Sequence, residues 1–242
     1  MSAAEPVPAD SAAAEQSTAG VPVWLFVVAV IVIGTFAHAA LHHREHGVWN
    51  VPQIGVAFFL VLNVLINFWE LSLWACADKV DREYQAMKGP FKGKELERVN
   101  AFFASRIPAL SLLSFARWTG VWSTYALFDK GYADRGSFGY NIDVANGVTT
   151  LIPATLFAFG MTYEIVPARV LGIIGVAMFW QMLFGTIVYF FQFFNAGRHV
   201  GHTFKNLVMF VGFTNGMWFV FPVWGIWLSV QMIYLDDFSV FL

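Results

Sequence analysis

Residues 54–77 read IGVAFFLVLNVLINFWELSLWACA, an apolar run whose strongly polar positions are Asn63, Asn67, Glu70 and Ser72. A helix needs about 20 mostly apolar residues to cross the hydrocarbon core of a bilayer, and this run is long enough. Asn63, Asn67 and Glu70 recur at spacings of three or four, so they share one helical face. The stretch therefore predicts a transmembrane helix whose polar face is directed at other helices rather than at lipid.

The rest of the chain has the same membrane character. Of its 242 residues, 58% are apolar and 12% are charged, and an ordinary soluble domain carries about twice that charged share. The net charge of −2 leaves no broad basic surface for nucleic acid. We therefore expect an all-α polytopic membrane protein with six transmembrane helices. Besides residues 54–77, the expected spans are residues 21–41, 147–166, 169–194 and 207–233, with residues 108–128 as a sixth that holds Arg117 at its middle.

Loop charges predict the orientation of these spans. Residues 78–106 carry seven Lys and Arg side chains, and such residues gather on the cytoplasmic side of short loops. With six alternating spans, both termini are then cytoplasmic, in a bacterial inner membrane or an endoplasmic reticulum membrane. The opposite face is expected to hold residues 42–53, 129–146 and 195–205.

The chain is expected to divide into four parts. Residues 1–20 are rich in Ala, Pro, Ser and Glu, a composition typical of a disordered tail. Two transmembrane helices follow in residues 21–77, then the basic loop of residues 78–106. Residues 107–235 form the remaining membrane domain.

Ionisable side chains inside the spans are the first candidates for a site, because their burial in lipid is costly. Glu70, with Asp143 near the start of the fourth span, could donate and accept protons in a reaction on a lipid. Arg117 is a third candidate catalytic residue. The alternative for Glu70 and Arg117 is an ion pair that only joins two spans.

The histidines suggest a second kind of site. His38, His42 and His46 follow one another at one helical turn, and His199 and His202 are expected on the same outer face. Neutral imidazole is a ligand for zinc, copper or iron, and the string resembles one box of the membrane di-iron desaturases and hydroxylases. The alternative is a solvated interfacial cluster without metal, which we favour because short histidine strings often match by chance.

The last spans carry a more specific pattern. Gly185 and Tyr189 are followed by a polar loop that ends in His202-Thr203, and then by Asn215, Trp218 and Pro222 in the order Asn-x-x-Trp-x-x-x-Pro. Residues 125–134 add an acidic and aromatic loop. In this order of features, residues 107–235 resemble the EXPERA family, which includes the emopamil-binding sterol Δ8–Δ7 isomerase.

The resemblance implies a bundle of four helices around a cavity for a sterol or another hydrophobic ring compound. In the isomerases an acid protonates a double bond and a neighbouring base removes another proton. Residues 114–122 and 143–150 hold no His or Glu at the family's positions, so Asp143 and Glu70 are the expected substitutes. The expected cavity wall consists of Asn215, Trp218, Tyr189, Trp118 and Gln181.

The sequence therefore favours a lipid-modifying membrane enzyme, an isomerase or another proton-transfer catalyst that acts on a sterol or terpenoid without a cofactor. A non-catalytic lipid-binding protein is the first alternative. A metal-dependent hydroxylase or accessory subunit, with iron, copper or zinc on the histidines, is the second.

Overall fold

A computed structural model of the protein describes residues 20–242, without the side chain of Phe210. The predicted tail therefore lies outside the described residues, except for Gly20. The described residues are mostly helical, with one pair of two-residue strands among them, β1 (Val21–Pro22) and β2 (Arg106–Ile107). The helices are α1 (Val23–His46), α2 (Val51–Ala75), α3 (Ala77–Met87), α4 (Glu95–Ala104), α5 (Phe115–Tyr125), α6 (Phe138–Thr149), α7 (Leu151–Tyr163), α8 (Ala168–Asn195) and α9 (Phe204–Leu235), the last with a π-helical segment at Leu207–Gly212.

Four of the described helices are long and apolar enough to cross a membrane: α1, α2, α8 and α9. These confirm the membrane class and four of the expected spans. The expected span at residues 147–166 lies on α6 and α7, which are bent by 47° and can be counted together as one broken span. The four helices, with or without this pair, support an all-α membrane protein.

A sixth span at residues 108–128 is not confirmed. Only α5 is α-helical there, over 11 residues, and at about 1.5 Å per residue it reaches about 17 Å, whereas the hydrocarbon core is about 30 Å thick. A 3₁₀ turn at Ala109–Ser111 precedes it. The run at residues 108–128 is long and apolar enough for a span, but Pro108, Ser111 and Ser114 interrupt the helix.

Contacts between helix ends define two faces of the bundle. The basic face consists of residues 20–22, 76–114, 126–137 and 196–206. It is held together by the β1–β2 pair, by an ion pair of Arg135 with Asp78 at 2.8 Å and by an ion pair of Arg198 with Asp129 at 2.7 Å. It carries most of the basic side chains: Lys79, Arg82, Lys88, Lys92, Lys94, Arg98, Arg106, Lys130, Arg135, Arg198 and Lys205.

The histidine face consists of residues 42–53, 163–169 and 236–242, at the other end of α1. His42 donates through Nε2 to the carbonyl of Phe241 at 2.7 Å, and Arg169 pairs with Asp236 at 3.0 Å. Gly20 and Leu242 thus lie at opposite ends of α1, whose 24 residues span about 36 Å.

Two predictions about the faces are therefore wrong. Residues 195–205 and the loop that begins at residue 129 lie with the basic loop, and not with residues 42–53. The end of the chain lies opposite Gly20, so the two ends of the described chain do not share a face. The cause is the short α5, because the chain does not pass from one face to the other over these 11 residues.

The bend between α6 and α7 has a local cause. Pro153 cannot donate a backbone hydrogen bond, and its ring clashes with the carbonyl four residues earlier, so a continuous helix cannot form there. Asn67 of α2 covers the break. With its amide oxygen facing Thr150, it accepts from the backbone N–H of Leu151 at 3.0 Å and donates to the carbonyl of Asn63 at 2.7 Å. The polar face of α2 thus holds the broken span in place.

Candidate functional site

A cavity of about 240 Å³ lies between α2, α4, α5, α6, α8 and α9, and we call it the central cavity. Its wall is mostly aromatic and aliphatic, with polar groups at a few positions. Two of these groups are carboxyl groups, and no Lys, Arg or His side chain of the described residues lines it. Its aromatic members are Trp69, Phe102, Phe103, Trp122, Tyr125, Tyr132, Tyr189 and Trp218. Its polar members are Glu70, Thr124, Asp143, Asn146, Gln181, Thr186, Thr214 and Asn215.

Glu70 reaches this cavity from α2 and is only 3% exposed. The side-chain amide of Asn146, on α6, donates to both carboxylate oxygens, at 2.9 and 3.1 Å. Gly147 makes this approach possible, since a Cβ there would lie 2.7 Å from the Cβ of Glu70. A hydrogen-bond donor fixed on both oxygens orients the carboxyl group and compensates part of the cost of its burial.

Asp143 lies one turn before Asn146 on α6 and also lines the cavity. The hydroxyl of Tyr132, in the loop between α5 and α6, lies near its carboxyl group. Burial raises the pKa of the Tyr132 hydroxyl well above its ordinary value, and the nearby carboxylate of Asp143 adds to the shift. Tyr132 is therefore a neutral hydrogen-bond donor at physiological pH.

Three tyrosines and a tryptophan form the aromatic part of the wall. The Tyr132 ring stacks on Trp122 at 5.2 Å, meets Tyr125 edge to face at 4.7 Å and lies 6.2 Å from Tyr189. Electron-rich ring faces attract cations, and the attraction grows where water is excluded. The wall can thus stabilise a positive charge that forms or binds beside the two carboxyl groups.

The amide side chains at the cavity are fixed by the protein. Asn215 donates to the Tyr125 hydroxyl at 2.7 Å, and Gln181 donates to Thr149 at 2.7 Å. Trp218 donates through its indole nitrogen to Asn63 at 3.1 Å. These groups support the wall, and their bonds hold the aromatic rings in one arrangement.

Three polar atoms of the wall residues have no hydrogen-bond partner within residues 20–242. They are the indole nitrogen of Trp69 and the hydroxyls of Thr124 and Tyr189, all buried. Buried polar groups are rarely left without a hydrogen bond, so each such group calls for an explanation. A bound molecule with oxygen atoms would supply the missing partners.

The structure brings six of the predicted site residues to one cavity: Glu70, Asp143, Tyr189, Gln181, Asn215 and Trp218. It also adds residues that the sequence did not single out, of which Asn146, Trp122 and Tyr132 make the contacts above. One feature of the sequence points to Asn146: it follows Asp143 by three residues and therefore lies on the same face of a helix.

Two predicted residues lie elsewhere. Trp118 is fully buried between Phe26 and Trp69, each ring 5.4 Å away, and its indole nitrogen donates to the carbonyl of Leu112. Arg117 does not line the cavity, and no ion pair joins it to Glu70 among the described residues. The residues of α5 that line the cavity are all in its second half, from Val121 to Tyr125, whereas Arg117 is in its first turn.

The histidines do not form a single metal site. His199 and His202 lie on the basic face, opposite His38, His42 and His46. His42 uses both ring nitrogens, toward Thr162 at 3.1 Å and Phe241 at 2.7 Å. Within residues 20–242, no group of three His, Cys, Asp or Glu side chains is placed to hold a metal ion. The alternative ligand set of all five histidines is therefore wrong.

Comparison of the chain with protein-family models, with curated proteins and with solved structures finds no match.

Proposed function

We propose that the protein is a multi-pass membrane enzyme of EXPERA-like architecture that moves a double bond in a sterol, a terpenoid or a similar ring lipid. The observation that carries this proposal is the pair of carboxyl groups on one aromatic cavity without a basic counter-charge, of which Glu70 is buried and Asp143 is half-buried. Further support comes from Tyr189, Asn215 and Trp218, the residues of the family-like pattern, which line the same cavity.

The chemistry follows from the two acids. One carboxyl group, in its protonated form, gives its proton to a carbon of the double bond, which leaves a carbocation on the neighbouring carbon. The other, as carboxylate, removes a proton from a carbon on the far side of that cation, and the double bond moves by one position. The net proton count is unchanged, and the ring faces of Trp122, Trp218 and Tyr132 lower the energy of the cation.

The orientation in the membrane belongs to the same proposal. The basic face holds most of the Lys and Arg side chains and is cytoplasmic by the positive-inside rule. With α1, α2, α6 together with α7, α8 and α9 as crossings, Gly20 is on the cytoplasmic side and Leu242 is on the opposite side. The ligand enters from the lipid that surrounds these helices.

The test is deuterium transfer from solvent to lipid. The purified protein in lipid nanodiscs is incubated in D₂O with a mixed sterol and terpenoid extract, and the lipids are analysed by mass spectrometry. Because the acid exchanges its proton with solvent, each turnover places one deuterium on carbon. We expect Glu70→Gln and Asp143→Asn each to lower incorporation by about a hundredfold or more, while Asp237→Asn, on the histidine face, leaves it unchanged.

Incorporation that persists in the double variant Glu70→Gln/Asp143→Asn would contradict the assigned roles. Saturable lipid binding without any deuterium transfer would instead favour the non-catalytic lipid-binding protein.

A further inference from the structure

A second space lies on the lipid-facing side of the bundle, between α1, α2 and α7, and we call it the outer groove. Its volume is about 370 Å³. On α1 it is lined by Phe26, Val30, Gly34 and His38, one residue per turn. The twelve residue steps along the helix from Phe26 to His38 give it a length of about 18 Å. This is close to the thickness of one leaflet, which is about half of the 30 Å core.

The floor and the ends of the outer groove are shaped by particular residues. Gly34 lies so close to α2 that a Cβ at this position would be 2.7 Å from a side-chain atom of Val61. The missing side chain lets α1 and α2 approach each other, and the channel runs along their line of contact. Ala158 and Phe159 of α7 form the other wall, and Leu112 closes the end toward the basic face. The channel is thus narrow, apolar and open to lipid along its length.

His38 is the polar group at the far end of this channel. Its ring lies against Phe159, with 4.8 Å between ring centroids, which fixes its direction. Neither of its ring nitrogens has a hydrogen-bond partner within residues 20–242, although the next histidine on the same stripe, His42, is bonded through both nitrogens. A polar group at membrane depth without a partner is costly. An ester carbonyl of a lipid that lies along the groove is an acceptor suited to this position.

We propose that the outer groove binds one acyl chain of a membrane glycerolipid, whose ester carbonyl accepts a hydrogen bond from His38. Three observations agree with this occupant. The groove is as long as one leaflet, it is apolar up to His38, and His38 lies one turn below the polar end of α1, at the depth where ester groups meet the hydrocarbon. No Lys or Arg of the described residues lines it, so recognition depends on the chain and its carbonyl rather than on the headgroup charge.

The outer groove is separate from the central cavity, because α2 stands between them. Leu60, Val61 and Val64 line the groove, whereas Trp69 and Glu70 line the cavity. The bound chain is therefore a resident lipid and does not lie within reach of the two acids.

The experiment uses phosphatidylcholine with a photoactivatable diazirine midway along one acyl chain. The protein is reconstituted in nanodiscs with this lipid, irradiated, digested and mapped by mass spectrometry. We expect crosslinks to concentrate at Val30, Gly34 and Val64. His38→Leu removes the donor and is expected to lower this crosslinking about fivefold, and His38→Asn, which keeps an N–H donor, should restore most of it.

A second variant tests the groove without touching the histidine. Thr155→Phe fills the channel from an exposed position of α7 and should abolish the groove crosslinks. The matched control is Val32→Phe on the opposite side of α1, at a site that is already 59% exposed. Crosslinking that is equal in wild type, His38→Leu and Thr155→Phe would overturn the proposal. So would displacement of the labelled phospholipid from the groove by a free sterol, which would identify a different occupant.

Discussion

One side-chain amide, that of Asn146, donates to both carboxylate oxygens of Glu70, at 2.9 and 3.1 Å. The two residues belong to different helices, and each is buried. The orientation of the Glu70 side chain is therefore set by α6, the helix that also carries the second acid, Asp143. The relative position of the two acids is controlled by the contact between α2 and α6.

Replacement of Asn146 by Ala should therefore affect both stability and turnover. The buried carboxyl group of Glu70 loses its partner, and we expect the free energy of unfolding to fall by about 1–3 kcal/mol. Deuterium transfer to lipid should fall as well. The control is Asn141→Ala, on the same helix, whose amide is exposed and bonds to the backbone of Arg135 and Ser137. Equal stability of the two variants in thermal unfolding would contradict the role of Asn146.

The close contact of α6 with α2 can be tested at Gly147. A methyl group there would meet the Cβ of Glu70 at 2.7 Å and the carbonyl of Asn67 at 3.1 Å. Overpacking of this kind costs about 1–3 kcal/mol, so Gly147→Ala should lower the melting temperature. Gly216→Ala is the matched control, because a Cβ at that helical position meets nothing within 4 Å. If both substitutions prove neutral, α6 does not approach α2 as closely as described.

The ion pair of Arg198 with Asp129 should be important for stability. Asp129 is fully buried and the Arg198 side chain is 8% exposed, so Arg198→Met leaves an uncompensated charge at a cost of about 3–5 kcal/mol. The comparison is Arg135→Met, which breaks the exposed pair with Asp78 at a cost of about 0–1 kcal/mol. Chemical unfolding in detergent measures both. Similar losses in the two variants would argue against a buried pair.

The number of crossings can be measured with single cysteines. In a Cys76→Ser background, Lys92→Cys places a thiol on the basic face and Asp237→Cys places one on the histidine face, both at exposed positions. A membrane-impermeant maleimide added to sealed vesicles should label the two from opposite sides. Labelling from the same side would mean an even number of crossings between the two positions, either because residues 108–128 cross completely or because the α6–α7 pair does not.

Much of the fold could be predicted from the sequence, because the length of an apolar run is set mainly by the thickness of the hydrocarbon core that the helix has to cross. The runs at residues 21–41, 54–77, 169–194 and 207–233 each coincide with a long helix. The run at residues 108–128 passed the same test of composition, but Pro108, Ser111 and Ser114 shorten the helix that forms there. Orientation depends on the parity of all crossings, so one such misassignment moved the loop that begins at residue 129 and residues 195–205 to the wrong face.

The site was predictable only in part, for a related reason. Polar residues within apolar runs, such as Glu70 and Asn215, are visible in the sequence, and the structure places them at the cavity. Their neighbours Asn146 and Tyr132 could not be found in this way, because only the packing of α6 and of the loop before it brings them to the cavity. Arg117 was misplaced because its depth was inferred from a span at residues 108–128, where the structure has a helix of only 11 residues. The alignment of His38, His42 and His46 was real, but His42 is occupied by hydrogen bonds to the protein.

Helix α2 is the shared wall of the two spaces in this protein, with lipid on one side and the acid Glu70 on the other. Under both proposals, the acyl chain of the outer groove and the carboxyl group of Glu70 lie on the same helix. We then expect turnover to vary with the length and saturation of the neighbouring acyl chains, so that the composition of the bilayer would influence the rate of the reaction.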